Sequence, residues 1–526
     1  INGASEKVSY AISGRYYGQD GIYKLGNEDF NQFNLRAKGS IKITDWLKLT
    51  NNTSVFKRKY HQPMVSGGSQ PLLRQFEHRG QPIYPAFNED GTLTFYGASC
   101  MYGAFEDGNT YQENNKLDII TSTTLDFEPI KNVLKFTGDF TYKAIRSTQA
   151  RVSCIQSGYS APGALETYNS SSYKSDWRFN TDYISSNIVG TYTPKVGDNH
   201  DVNIVAGWNL EKTNYRRLYL TRKDLLYPSI PSFELMASDE YGVEDRGHDK
   251  SMVGFFGRVN YSFNDRILVT ATLRDDGTSR FANNKWGLFP SVAVSYNFGK
   301  ERFIADSGVV SALKLRLSWG QTGQQDLQSG DYPTLSSYKY NTNQSMYYFG
   351  NKVITPITPL GYNADLKWET TTTYNIGLDY GFLGDRIFGS VDLYKRDTKD
   401  LLNRTPVAAG ANLSNYLNAN IGDLTNKGFE FEFNAIPLQT RDWNWTLGFN
   451  ATFNETKISR LTTDDERADY FGITTGGIAG GTGNTVQIHQ TGHAPNSFFV
   501  YKQVYDTDGK PIEGLYVDLN KDGKID

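Results

Sequence analysis

Cysteine is almost missing from this chain, and long apolar runs are missing altogether. Only Cys100 and Cys154 occur among 526 residues. Two cysteines cannot build a disulfide-dense scaffold, and no zinc-type spacing exists. Both fall in expected loops. They are either unrelated thiols or a loop-to-loop disulfide of the kind an oxidising exterior permits. A helix crossing a bilayer needs about 18 or more apolar residues in a row, and none is present. The mean hydropathy is −0.54. That absence removes transmembrane helices only, because in a membrane β-barrel just alternate residues meet lipid. The net charge of −3 lacks the basic excess that general nucleic-acid binding requires. His61, His78, His200, His248, His489 and His493 are scattered and form no HExxH pair. No GxSxG elbow occurs either, so no common hydrolase signature is present.

Aromatic residues are abundant, with 35 Tyr and 30 Phe, and these favour strands. In Trp443–Asn454, WNWTLGFNATFN, the odd residues Trp443, Trp445, Leu447, Phe449, Ala451 and Phe453 are mostly large and apolar. The even residues Asn444, Thr446, Gly448, Asn450, Thr452 and Asn454 are polar or small. Successive strand side chains point to opposite faces, so one face is greasy and the other wet. The same dyad runs through Val8–Tyr16, Phe33–Lys42, Leu134–Lys143, Asp201–Asn209, Ile267–Arg274, Tyr374–Tyr380 and Phe429–Asn434. It predicts roughly sixteen strands of about 9–14 residues, the length of a tilted barrel strand.

The connections sharpen this. Short turns are expected at Thr44-Asp45, Glu128–Asn132, Pro194–His200, Asn264-Asp265, Phe382–Asp385 and Leu438–Arg441. Long segments are expected at Lys57–Asn115, Ser147–Lys174, Asn214–Asp249, Thr322–Lys367, Thr398–Leu424 and Lys457–Pro495. Antiparallel strands put every second connection on one side, so the short turns share a side and the long loops share the other. Gly299–Ser311 is the one long connection on the short side. Short periplasmic turns with long outer loops describe an outer-membrane barrel. A propeller would show a regular blade period and a sandwich would use shorter strands. Trp46, Trp177, Trp286, Trp368 and Trp443 fall near strand ends and suit an interfacial girdle.

Several motifs follow in order. Arg274–Phe281 reads RDDGTSRF, followed by Asn284-Lys285-Trp286-Gly287 and Phe289-Pro290-Ser291. Leu313-Lys314-Leu315-Arg316, Gly320-x-Thr322-Gly323 and Leu366-Lys367-Trp368-Glu369 come next. Asn375-x-Gly377-Leu378-Asp379 and Asn426-Lys427-Gly428-Phe429-Glu430 complete the set, with Asp518–Asp526 as a DxNxDGxI signature. The set resembles the barrel of SusC-like (SusC/RagA) TonB-dependent transporters of Bacteroidetes, from about Gly3 to the last residue. The resemblance implies a 22-stranded barrel that imports nutrients across the outer membrane and is closed by an N-terminal plug. It implies energy delivered through TonB, and a SusD-like surface lipoprotein as lid. The cargo is an oligosaccharide in most such systems and a peptide in some. The chain starts at Ile1 with no leader and ends inside a motif, so it is expected to be a fragment lacking the plug and about six strands. Residues 1–505 then form the barrel portion with its loops. Residues 506–526 form a hairpin, at Asp506-x-Asp508-Gly509, and a loop leading into the missing strands.

Asp518, Asn520 and Asp522 hold positions 1, 3 and 5 of an EF-hand-like loop, with Gly523 at the turn. The Lys524 carbonyl and Asp526 stand at positions 7 and 9. The spacing suits a structural Ca²⁺, and equally an Asx-rich turn held by its own backbone bonds. No cofactor is required. His489-x-x-x-His493 has helical metal spacing but sits in a Gly-rich segment, and Gly476–Gly483 lacks the lysine of a phosphate loop. For cargo, the loops offer Tyr338, Tyr340, Tyr347 and Tyr348 in one cluster and Tyr96 and Tyr102 in another. Aromatic faces suit sugar rings, and the alternative is loop packing. The readings set against import are a passive pore, a barrel-borne outer-membrane enzyme, and a surface adhesion barrel.

Overall fold

The computed structural model describes residues 1–22, 26–64, 81–99, 102, 108–169, 171–327, 332–340, 347–406, 414–461, 472–478, 484–519, 521, 523 and 525. Sixteen strands form one sheet whose order follows the chain. They are β1 (Asn2–Ala4), β2 (Val8–Asp20), β3 (Asp29–Thr44), β4 (Leu47–Pro63), β5 (Tyr111–Ile130), β6 (Leu134–Ser153), β7 (Tyr173–Tyr192) and β8 (His200–Lys223). Then come β9 (Tyr241–Phe263), β10 (Ile267–Thr278), β11 (Trp286–Asn297), β12 (Val310–Gln324), β13 (Glu369–Phe382), β14 (Ile387–Lys399), β15 (Asp423–Gln439) and β16 (Asn444–Arg460). Among the described residues no helix is long and apolar enough to cross a membrane. The chain divides into two compact units, residues 1–192 with 207–253, and residues 193–206 with 254–526.

In the first unit, the register aligns the dyads across strands. Tyr10, Ile12 and Tyr16 oppose Gly39, Ala37 and Phe33. Leu49 opposes Ile41 on one side and Leu125 on the other. Phe127 opposes Phe136, and their rings stack with centroids 6.1 Å apart. The alternate residues form a polar face: Ser122 and Thr141 share a hydrogen bond of 2.9 Å, and Thr137 donates to Asp126 at 2.9 Å. At the long-loop end, Val152, Cys154, Leu225 and Met236 are buried together, with Tyr111 and Phe233 against them. The Cys154 thiol lies 3.4 Å from the Asn109 carbonyl. Cys100 is outside the described residues.

In the second unit, Val294, Leu317, Ile376, Leu393 and Phe429 align in one row, and Phe429 opposes Phe453. Thr452 opposes Glu430 and Asn450 opposes Glu432 on the other face. The dyad that begins at Trp443 is thus the last stave of the sheet among the described residues.

The turn pattern matches the sequence reading. Connections on one side are 5–7, 45–46, 131–133, 193–199, 264–266, 383–386 and 440–443, while on the other side only 21–28 and 279–285 are comparably short. The long one, 298–309, contains two short helical turns, Phe298–Lys300 and Arg302–Ala305. Asn264 and Asp265 both take positive φ, 51° and 53°, the backbone a tight hairpin needs and one that Asn and Asp tolerate. Strand length differs from the expectation of 9–14 residues. β8 has 24 residues, β9 has 23, and β5, β6 and β7 have 20 each. The excess lies on the long-loop side, so much of what reads as loop is strand. Beyond the lipid band both strand faces meet polar surroundings, so the apolar alternation that marks a strand fades there.

Candidate functional site

The motif residues build the wall rather than a binding surface. Arg274 donates to Asp276 at 2.6 Å, and both Asp276 and Arg280 are buried. Arg280 reaches Asp326 at 2.7 Å, and Thr334 donates to its carbonyl at 3.0 Å. Phe281 and Leu366 are fully buried. Trp368 packs edge-on to Phe281 and Phe289, at 5.9 and 5.5 Å, and its indole N–H donates to the Lys285 carbonyl at 3.0 Å. Trp368 is only 7% exposed, so it is a core residue and not part of an interfacial girdle. Trp177 also departs from the girdle. It stacks on Tyr219 with the Arg151 guanidinium 5.0 Å above, on the face opposite Ile184 and Ile188. Trp46, Trp286 and Trp443 are exposed at strand ends or turns. Gly428 lies flush beneath the Tyr394 ring, where any Cβ would collide, which explains glycine at the centre of that motif.

The polar face of the second unit is laced by ion pairs. Arg316 forks onto Asp379, with its Nε 2.9 Å and its Nη2 2.8 Å from the two carboxylate oxygens, and its Nη2 reaches Asp392 at 3.0 Å. Such bidentate pairs hold their geometry tightly.

The loop aromatics divide. Tyr96 packs on Tyr84 at 4.8 Å and bonds the Gln81 backbone, and Tyr102 meets Phe87 edge-on at 5.2 Å. The loop around them is pinned by Asp90, which accepts from the Thr92 hydroxyl at 2.6 Å and the Thr92 N–H at 2.9 Å. Those bonds hold its carboxyl below the usual carboxylate range. In the second unit, Tyr338 and Tyr340 lie on the strand Tyr338–Tyr340, paired with Ile357–Pro359. Tyr347 and Tyr348 lie on a separate hairpin with Lys352–Ile354. Tyr338, Tyr347, Tyr348 and Phe349 are all exposed, Tyr348 at 81%.

The fold also assembles a cleft that no spacing announced. It holds about 440 Å³ and is lined by polar residues such as Asn403, Arg404, Arg460 and His489 and by apolar ones such as Leu401, Ile421, Ile458 and Ile473. Arg404 covers the ring of Tyr416 at 4.7 Å across a small hairpin. Arg460 is locked onto Asp423 by two bonds of 3.0 Å. Only the Arg and Tyr flanking a loop could have hinted at it. His489 ends the strand Thr485–His489, so it and His493 are not on a helix. Among the described residues no cluster of metal-ligating side chains occurs. Of the EF-hand-like set, Asn520, Asp522, Lys524 and Asp526 lie outside the described residues. Asp518 accepts from the N–H groups of Lys521 at 2.7 Å and Gly523 at 2.8 Å, an Asx-type turn.

Residues 71–491 match the model of the family described as TonB dependent receptor-like, beta-barrel. The chain is 46% identical over 277 residues to the TonB-dependent receptor SusC of Bacteroides thetaiotaomicron, covering 52% of this chain and 27% of SusC. It is 26% identical along its whole length to the TonB-dependent receptor P3 of Formosa agariphila, covering 52% of that protein. The chain thus spans about half the length of P3. A solved RagAB peptide transporter superposes with a TM-score of 0.78 at 21% identity, over 96% of this chain and 54% of that one, and so shares the fold. With a sixteen-stranded antiparallel sheet and a family model matching most of its length, this chain is part of an outer-membrane β-barrel and belongs to the TonB-dependent receptor family.

Proposed function

We propose that the chain is the barrel portion of an importer that draws a nutrient across the outer membrane with energy delivered through TonB. The observation that carries this is the 46% identity to the receptor SusC, on a wall whose buried motif residues are the ones that resemble that family. A SusD-like lipoprotein is the expected lid over the long loops. The cargo favoured is an oligosaccharide. Exposed rings at Tyr338, Tyr347, Tyr348 and Phe349, and the Arg404–Tyr416 stack beside a cleft of mixed apolar and polar lining, suit the apolar face and hydroxyl rim of a sugar. Peptide is the second reading, favoured by the likeness to a solved structure titled a peptide transporter. The reading includes no catalytic step.

The test is uptake of labelled glycans and peptides by cells with the full-length gene, with and without TonB. Uptake of a defined oligosaccharide that stops when TonB is removed is the expected result. Uptake independent of TonB would point to a passive pore and overturn the reading. Cargo turned over at the cell surface without uptake would point to an enzyme. Co-purification in mild detergent should bring down a SusD-like lipoprotein, and recovery of the barrel alone would remove the lid from the proposal.

A further inference from the structure

The apolar face of the first unit ends in a row of cations. On β4 this face runs through Leu47, Leu49, Val55 and then Lys57. The register carries each position sideways. Lys57 opposes Leu117 on β5, Leu117 opposes Arg146 on β6, and Arg146 opposes Asn180 on β7. The pairs Trp177–Tyr219, Ser175–Thr221 and Asn187–Asn209 all imply one alignment of β7 with β8, which sets Asn180 beside Arg216. Lys57, Arg146 and Arg216 thus share one height on alternate strands, roughly 10 Å apart. One step farther out on the same face stand Lys59 and Arg178. Four of the five are exposed and Arg146 is half-buried.

Height decides what they meet. Leu47, Phe127 and Phe136 form a row close to the short turns, one step above Leu134 and Tyr192, with Trp46 edge-on to Phe127 at 5.6 Å. Ten residues separate Leu47 from Lys57, and at the usual rise and tilt they climb roughly 25 Å, the height of the apolar band of a membrane barrel. The cations therefore begin where hydrocarbon ends on the outer side. The polar groups within the band satisfy each other: Asn51 donates to Thr123 at 3.0 Å, and Thr53 bonds Thr121 at 2.9 Å. The cations are not all neutralised. Asp182 pairs with Arg146 at 2.7 Å, Asp249 with Arg216 at 3.1 Å and Glu113 with Lys59 at 3.1 Å. Lys57 and Arg178 have no ion pair with any described residue.

We propose that this row is a docking site for the phosphate groups of an outer-leaflet lipid. The charge is complementary, the spacing lets one phosphorylated headgroup touch two cations, and guanidinium and ammonium groups are the usual phosphate partners. The acyl chains would then lie on Val55, Ile119 and Ile184 in the upper half of the band, all on the same face.

The test uses the full-length protein in mild detergent, with lipid A as the added probe and native mass spectrometry as the readout. Wild type should retain lipid A and lose its preference when the lipid is dephosphorylated. Lys57→Gln with Arg146→Gln and Arg216→Gln should lower the retained fraction on the order of a hundredfold. Should that variant fail to fold, Lys57→Gln with Arg178→Gln strands no carboxylate and should still weaken binding about tenfold. Equal retention by wild type and a folded variant, or indifference to the lipid's phosphates, would overturn the proposal. So would a photo-crosslinker at Leu117 that captures a neighbouring protein in place of lipid.

Discussion

Two sets of aromatic side chains in the second unit have opposite fates. Phe281, Phe289 and Trp368 interlock in a buried part of the wall. Tyr338, Tyr348 and Phe349 stand exposed on small hairpins in the connection between β12 and β13. The first set belongs to motifs that can be recognised, and the second belongs to segments that cannot. The difference teaches that recognisability here marks architecture. A motif whose every ring fills a neighbour's gap tolerates little change, whereas a ring in solvent is constrained only by whatever it binds. The first unit offers an intermediate case, since Tyr84 and Tyr96 are loop residues that pack on each other.

The contrast can be broken or sharpened by substitution. Trp368→Ala should have the largest effect, destabilising the barrel by about 3–5 kcal/mol, because it leaves a cavity beside Phe281 and Phe289 and orphans the Lys285 carbonyl. Loss of heat-modifiable mobility at a lower temperature would register it, and an unchanged melt would dissolve the distinction between the two sets. Gly287→Ala comes next, because its Cβ would sit 2.6 Å from the Phe289 ring and 2.9 Å from Trp368, at a cost of about 1–3 kcal/mol in the same assay. Tyr84→Ala should remove about 0.5–1.5 kcal/mol of ring pairing on Tyr96, read as earlier proteolytic nicking of that loop. Tyr348→Ala should leave stability within about 0.5 kcal/mol of wild type while lowering cargo affinity, which calorimetry would separate. Smallest of all is Asp45, whose carboxyl is held below its ordinary value by a 2.9 Å bond to Lys42. A depressed pKa stabilises above the unfolded value near 3.8 and stops doing so as pH falls through the folded one. Both groups are exposed, so Asp45→Asn should not measurably shift the melt at neutral pH.

Much of the fold was legible beforehand. The dyads at Phe429–Asn434 and Trp443–Asn454 pair face to face as their alternation implied. The short turns at Asn264-Asp265 and Phe382–Asp385 fall where the turn residues stand, and the strand count agrees with about sixteen. Strand ends were not legible. Residues 214–223 and 241–249 read as loop because Asn214, Arg216, Arg217, Glu244 and Asp249 show no apolar period, yet they are strand. Backbone pairing continues above the membrane, where no apolar solvent selects alternate side chains. The site was less legible still. Nothing in the spacing of Asn403, Arg460 and His489 predicts that they line one cleft.

By itself, the sequence determined the class of molecule: alternation with period two, strand by strand, and a regular exchange of short and long connections. Those are local properties, written by lipid on one face and by turn chemistry at one end. Tertiary structure alone decided which aromatic residues became core and which stayed free. It also decided that Lys57, Arg146 and Arg216, far apart in the chain, share one height. Register is the physical reason. It is set by pairing across many strands at once, and no single segment carries it.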